Sequence, residues 1–165
     1  MRQRVMIAMA LSCNPDILIA DEPTTALDPT IQAQIMEVMM RIREEKGLTI
    51  LYISHDLGVI AEMCDRVCVM YAGTIMETAN AHALFHETMH PYTLGLLRSV
   101  PRMDSSRDEL ETIDGAVPRY PGLMAGCPFA PRCKYASKEC SQGTLPPMKK
   151  ASDTHEVRCL HAVSR

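Results

Sequence analysis

Asp21 and Glu22 stand side by side at the end of the aliphatic run Ile17-Leu18-Ile19-Ala20, with no turn residue before them. A carboxylate at the carboxyl end of a buried parallel strand lies where open α/β sheets bind ligands. Asp21 in that place is suited to hold Mg²⁺, directly or through water, because Mg²⁺ favours a few carboxylates together with phosphate oxygens. Successive side chains at a strand end diverge, so Glu22 points elsewhere and is suited to polarise a water for in-line attack on a γ-phosphate. A second aliphatic run, Ile50-Leu51-Tyr52-Ile53, ends in Ser54-His55-Asp56. In a parallel sheet that puts His55 on the same rim as Glu22, where an imidazole can touch a γ-phosphate and the attacking water. The plain alternatives are a solvated strand end softened by acids, and a surface histidine.

A second group of residues could bind metal. Of seven cysteines, Cys127, Cys133, Cys140 and Cys159 fall within 33 residues, spaced C-x5-C-x6-C-x18-C. Cys13, Cys64 and Cys68 sit singly in apolar contexts and read as buried thiols, since free cysteine packs as a small hydrophobe. No signal-peptide pattern opens the chain, so a reducing cytoplasm is expected and the four clustered cysteines read as metal ligands rather than disulfides. Zinc ribbons prefer paired C-x2-4-C knuckles, which are absent here. A [4Fe–4S] cluster is more permissive in its ligand spacing. The segment has little apolar content, so a bound metal would supply most of its fold stability. An iron–sulfur cluster, zinc and no metal all stay open. His155 and His161 are possible substitute ligands, each more commonly a solvent-exposed histidine.

The elements that must position these groups follow from periodicity and punctuation. Residues 2–13 carry helix formers, ended by Asn14-Pro15. Residues 16–20 form a run without alternation, as in a strand covered on both faces. Asp28-Pro29 pairs an N-cap with proline at the first helical position, apolar residues from Ile31 to Ile42 recur on one helical face, and Gly47 stops the helix. Strands are predicted over 48–53 and 66–71, a helix over 56–64, a turn at Ala72-Gly73 and a pairing strand at 74–77. Two short helical pieces over 81–98 part near His90-Pro91. Strand alternating with helix is the rhythm of an α/β parallel sheet. Prolines at 101, 118, 121, 128, 131, 146 and 147 exclude long helices beyond, and a boundary is expected near residue 100.

Composition narrows the function. The 165 residues are 47% hydrophobic, with 4% aromatics, no Trp and 13 Met, enough for a core built on aliphatic side chains and methionine. A net charge of -3 gives no electrostatic footprint for nucleic acid. No apolar run reaches bilayer-spanning length, so membrane association is expected only through a partner.

The ordered set RQR, ILIADEP, TALD and ISHD resembles the second half of an ATP-binding-cassette (ABC) ATPase, over roughly residues 1–80. The resemblance implies a partial P-loop NTPase sheet with flanking helices, followed by a small irregular cysteine-rich tail. It makes Asp21 the magnesium-side carboxylate, Glu22 the catalytic base and His55 the switch histidine, and it places Asp28 in the loop that crosses to the other ATPase subunit. Thr25 stands where many relatives have serine. His90-Pro91-Tyr92-Thr93 followed by Leu96-Leu97 resembles the extension, here 81–100, of the peptide/nickel importer ATPases. The tail, 101–165, resembles that of importer ATPases carrying an iron–sulfur cluster, with Pro128, Pro131 and Arg132 matching their C-P-F-x-x-R-C pattern. The implied activity is ATP hydrolysis coupled to uptake of di- or oligopeptides, with ATP and Mg²⁺. The implied partners are a second ATPase subunit, membrane permeases and, indirectly, a periplasmic peptide-binding protein. The implied location is peripheral, on the cytoplasmic face of the bacterial inner membrane.

None of the eight glycines fits the phosphate-cradling G-x-x-x-x-G-K-[ST] loop. In the family Leu-Ser-Gly-Gly would directly precede Met1, and the adenine-stacking strands and glutamine loop are also missing. Mg·ATP is held mainly by the backbone N–H groups and lysine of that loop. The expectation is therefore a carboxyl-terminal fragment or truncated product that hydrolyses no ATP alone and, with an open sheet edge and apolar face, is poorly soluble. Two rivals stand beside this reading: a non-transport ABC ATPase acting on DNA or ribosomes, and a metal-binding or interaction module whose ATPase motifs are relics.

Overall fold

The computed structural model describes residues 2–100, 112–118 and 125–163. Parts of the tail, 101–111 and 119–124, thus lie outside the described residues. The chain divides into two compact units, Met1–Cys64 and Asp65–Arg165.

The first unit runs α1 (Arg2–Leu11), β1 (Ile17–Asp21), α2 (Pro29–Lys46), β2 (Thr49–Ile53) and α3 (Leu57–Met63). β1 and β2 pair in parallel, Ile17 opposite Thr49 through Asp21 opposite Ile53. A parallel pair needs a crossover, and α2 supplies it. Its start is the Asp28 cap, whose Oδ1 accepts from the Ile31 N–H at 3.0 Å, with Pro29 next; its end is Gly47 at φ 64. α3 is capped by Asp56, whose carboxylate accepts from Gly58 and Val59.

One sheet face buries Ala20 and Tyr52, and Ile35, Met36, Met39, Leu48, Val59, Ile60 and Met63 are buried in the same unit. The other face leaves Ile17, Ile19, Leu51 and Ile53 exposed, at 60%, 64%, 53% and 44%. Coverage on both faces, expected from the unalternating run, is therefore not found. Side chains alternate across a strand, and among the described residues this face has no covering layer.

The second unit departs from the parallel order. β3 (Arg66–Tyr71) joins no sheet with β2; it pairs antiparallel with β4 (Thr74–Asn80). Two short strands from the far end, β5 (Lys149–Lys150) and β6 (Glu156–Val157), complete the order β3-β4-β6-β5. The physical reason is the two-residue turn Ala72-Gly73, with φ 48 and 78, which returns the chain directly beside β3. Residues 66–71 alternate exposed and buried, as a one-sided antiparallel strand does. α4 (Ala81–His86) and α5 (Pro91–Arg98) follow, with short 3-10 turns at Ala130–Arg132 and Lys138–Ser141. The composition break near residue 100 falls inside this unit. Tyr71, Met76, Cys127, Phe129, Ala130 and Cys140 share one buried cluster.

Cys13 and Cys68 are exposed and Cys64 is half-buried, so the three buried thiols expected from the sequence are not found. Cys13 lies past the end of α1. Cys68 takes an outward position of the alternating β3, where its sulfur accepts from Thr78 Oγ1.

Candidate functional site

Asp21 ends β1 and lies abreast of Ile53, the last residue of β2. The chain then bends sharply. Glu22 takes φ 44, a left-handed conformation uncommon for a residue with a side chain, while its N–H donates to the Ile53 carbonyl at 2.9 Å. The bend aims the Glu22 side chain at His55, two residues past the end of the neighbouring strand. Glu22 Oε1 lies 2.9 Å from His55 Nδ1, and Oε2 accepts from Thr25 Oγ1 at 2.8 Å. The hydrogen bond from His55, with that from Thr25, holds the Glu22 carboxyl below its usual range. The same bond to Glu22 raises His55 above its ordinary value. Both side chains are exposed, 43% for Glu22 and 76% for His55, so the pair is held by geometry and not by burial.

The structure thus brings Glu22 and His55 together on one rim. Among the described residues no partner engages the Asp21 carboxylate, which is exposed at the strand end and open to a cation. Asp28 stands apart from this contact, with its carboxylate spent on the α2 cap. Gln3, given no role of its own in the RQR motif, donates from α1 to the Pro23 carbonyl at 2.6 Å and ties down the loop just after Glu22. The Arg4 guanidinium donates to Gln34 on α2.

The four tail cysteines form a second, separate site. Cys127 and Cys140 are buried, Cys133 and Cys159 half-buried, all four are free thiols, and all four line one pocket. Gly126, at φ 74, brings its backbone against the Cys140 carbonyl where a Cβ would clash, and Cys127 N–H donates to that carbonyl at 2.8 Å. Burial pushes Cys127 and Cys133 up and Cys159 up to about 11, each further raised by neighbouring cysteines of the set. Such thiols stay protonated until a cation displaces the proton. Among the described residues no group of three or more His, Cys, Asp or Glu side chains is placed to hold a metal ion.

His161 is exposed at this pocket and bonded to Ser137 Oγ at 2.9 Å, with that hydroxyl 3.5 Å from Cys140 Sγ. His155 corrects the expectation of an exposed histidine or a substitute ligand. It is 2% exposed, with Nε2 2.8 Å from Glu77 Oε1. Glu77, fully buried, also accepts from the N–H groups of Met89 and His90 at 2.7 and 3.1 Å. A bulge opposite Val69 and Met70 turns both Met76 and Glu77 inward. His90 caps α5, with Nδ1 accepting from Tyr92 N–H, and burial lowers it to about 4.

Comparison with known proteins decides the family. Residues 76–140 match the model "Oligopeptide/dipeptide transporter, C-terminal region", and residues 3–61 match "AAA domain, putative AbiEii toxin, Type IV TA system". The chain is 50% identical over 163 residues to the oligopeptide transport ATP-binding protein OppD of Salmonella typhimurium, covering 99% of this chain and 48% of that protein. It is 52% identical to Escherichia coli OppD over the same shares, and 56% identical to AppD of Bacillus subtilis over 85% of this chain and 43% of that protein. The chain belongs to the family of peptide-import ATP-binding proteins. It spans about half the length of the curated relatives it matches. The solved structure of cbiO1 from Clostridium perfringens, part of an ABC transporter complex, is 38% identical over 50% of this chain and 33% of that one, with a TM-score of 0.47. Among the described residues, no helix of this peptide-import homologue is long and apolar enough to cross a membrane.

Proposed function

We propose that this chain supplies the hydrolytic rim of the ATP-binding subunit of a bacterial peptide importer, in which ATP hydrolysis drives uptake of di- or oligopeptides. The observation that carries the reading is the 2.9 Å contact between Glu22 and His55, at the ends of two adjacent parallel strands. Asp21 offers its exposed carboxylate to Mg²⁺, which when bound neutralises phosphate charge. Glu22, ionised, accepts the proton of the attacking water. His55, exposed and among the described residues tethered only through Glu22, orients that carboxylate and reaches toward the phosphate. Asp28 starts α2 at the face offered to a second ATPase subunit. Residues 1–80 act as the hydrolytic half, 81–100 as the helical HPYT extension and 101–165 as the cysteine-rich tail. The working assembly adds membrane permeases and a periplasmic peptide-binding protein, with the ATPase pair peripheral on the cytoplasmic face of the inner membrane.

The phosphate cradle is not within these 165 residues, so the chain alone is expected to hydrolyse no ATP. The test is magnesium-dependent phosphate release from the chain alone and from the chain joined to the amino-terminal half of a relative. The joined protein is expected to turn over ATP, and Glu22→Gln to lower the rate by about 10²–10⁴-fold. Undiminished turnover in Glu22→Gln would overturn the assignment of the base.

The tail supports a second role, binding an iron–sulfur cluster. Four free thiols facing one pocket are the donor set of a [4Fe–4S] centre. The C-x5-C-x6-C-x18-C spacing, which has no paired C-x2-4-C knuckle, favours a cluster over zinc. Cys127, Cys133, Cys140 and Cys159 would hold the cluster, which would supply cross-linking of the tail and a one-electron couple. Anaerobic incubation with iron and sulfide is expected to give a brown chain with about four irons. A colourless chain with stoichiometric zinc would refute it.

A further inference from the structure

His90 lines the same pocket as the four cysteines. The residue is clamped from two sides. Its backbone N–H donates to the buried Glu77 carboxylate, itself held by His155, and its ring Nδ1 accepts from Tyr92 N–H at 3.0 Å. A neutral imidazole that accepts at Nδ1 carries its proton on Nε2. The ring is 1% exposed, and Nε2 has no hydrogen-bond partner among the described residues. The Arg158 backbone, leading to Cys159, acts on the ring as a hydrogen-bonding neighbour, but its geometry at Nε2 falls short of a full hydrogen bond. A buried donor left unmatched is costly.

Neutral thiols are weak acceptors, whereas a thiolate or sulfide is anionic and accepts a charge-assisted bond. We propose that the His90 Nε2–H donates its hydrogen bond to an anionic sulfur of the group bound by Cys127, Cys133, Cys140 and Cys159. This rests on the iron–sulfur reading of the tail. It makes His90 a positioning and tuning residue and gives the Glu77–His155 couple a task, which is to hold that donor in place. Hydrogen bonds to cluster sulfurs favour the reduced, more negative state and raise the reduction potential.

The test is the reduction potential of the full chain after anaerobic loading with iron and sulfide, in wild type, His90→Asn and His90→Gln. Asparagine keeps an acceptor for the Tyr92 N–H and loses the distal donor. Glutamine keeps an N–H near the Nε2 position. The expected result is a shift to more negative potential in His90→Asn and a value near wild type in His90→Gln. Loading by His90→Gln but not by a folded His90→Asn also supports the donor. An unchanged potential in loaded His90→Asn overturns the proposal and leaves Nε2–H to the Arg158 backbone. Equal shifts in both variants, or folded variants of which neither loads, also overturn it. If His90→Asn does not fold, pulsed EPR of the reduced chain with ¹⁵N-histidine in a His161→Asn background decides. A ¹⁵N coupling to the cluster spin is expected, and its absence rejects the bond. A wild-type chain that takes up no iron fails at the prior step and removes the iron–sulfur reading together with this one.

Discussion

The two units each contain a carboxylate–imidazole contact of nearly the same length, set in opposite surroundings. Glu22 and His55 meet at 2.9 Å on an exposed rim, while Glu77 and His155 meet at 2.8 Å with almost no exposure. Distance alone therefore does not assign a task. Water around the first pair screens its attraction, so its value to stability is small. Its side chains can separate cheaply, as the proposed base and phosphate-sensing group would need to. The second pair is enclosed, and Glu77 takes two further backbone N–H bonds, so parting it strands several buried polar groups at once. The first pair is free to part at little cost, and the second holds β6 and the His90 turn against β4.

The largest expected effect tests that contrast. Glu77→Ala should destabilise the second unit by about 3–5 kcal/mol, the cost of removing one member of a buried pair. Amide hydrogen exchange should rise across 65–100 and 149–160 while residues 2–64 keep their protection. Glu22→Ala should change stability by no more than about 0.5 kcal/mol, as exposed substitutions do. Equal losses from the two variants would erase the distinction.

A smaller effect is expected at Asp28. Its carboxylate caps α2 through Ile31 N–H, so Asp28→Ala should cost about 1 kcal/mol of first-unit stability by denaturant unfolding. Asp28→Ser should restore most of it. If the residue serves only the cap, Ser restores ATP turnover in the joined protein as fully as it restores stability. If it also contacts a second subunit, turnover stays low in a stable Ser variant.

These residues also mark what could be read in advance. The α2 boundaries were legible because Asp28-Pro29 and Gly47 act through bonds spanning a few positions. The approach of His55 to Glu22 was legible because two aliphatic runs of equal length, joined by one helix, leave parallel pairing as the economical arrangement. The pairing of β3 with the strand after Ala72-Gly73 was legible in that turn, but its separation from the β1–β2 pair was not, because strand alternating with helix reads locally as one parallel sheet. Glu77 and His155 were missed for a different reason. They are 78 positions apart, and the bulge that turns Glu77 inward is a property of strand register that no local pattern records.

The smallest effect is the most direct probe of the exposed pair. The Glu22 contact raises His55 above its ordinary 6.5, and the His55 contact lowers Glu22 below its ordinary 4.5. A raised histidine favours pairing at low pH and loses it as pH climbs through the folded-state value. A lowered carboxylate favours pairing at high pH and loses it as pH falls through its own. The pair is therefore complete only between a lower limit under 4.5 and an upper limit above 6.5. An NMR titration of the His55 ring should give a midpoint above 6.5 that drops back toward 6.5 in Glu22→Gln. Thr25→Ala should move it little, because Thr25 acts on the other carboxylate oxygen. Added salt should shrink the shift, since both groups lie in water. A His55 midpoint indifferent to both Glu22→Gln and salt would mean that the rim is not joined by this contact in solution, and the likeness between the two pairs would end at their geometry.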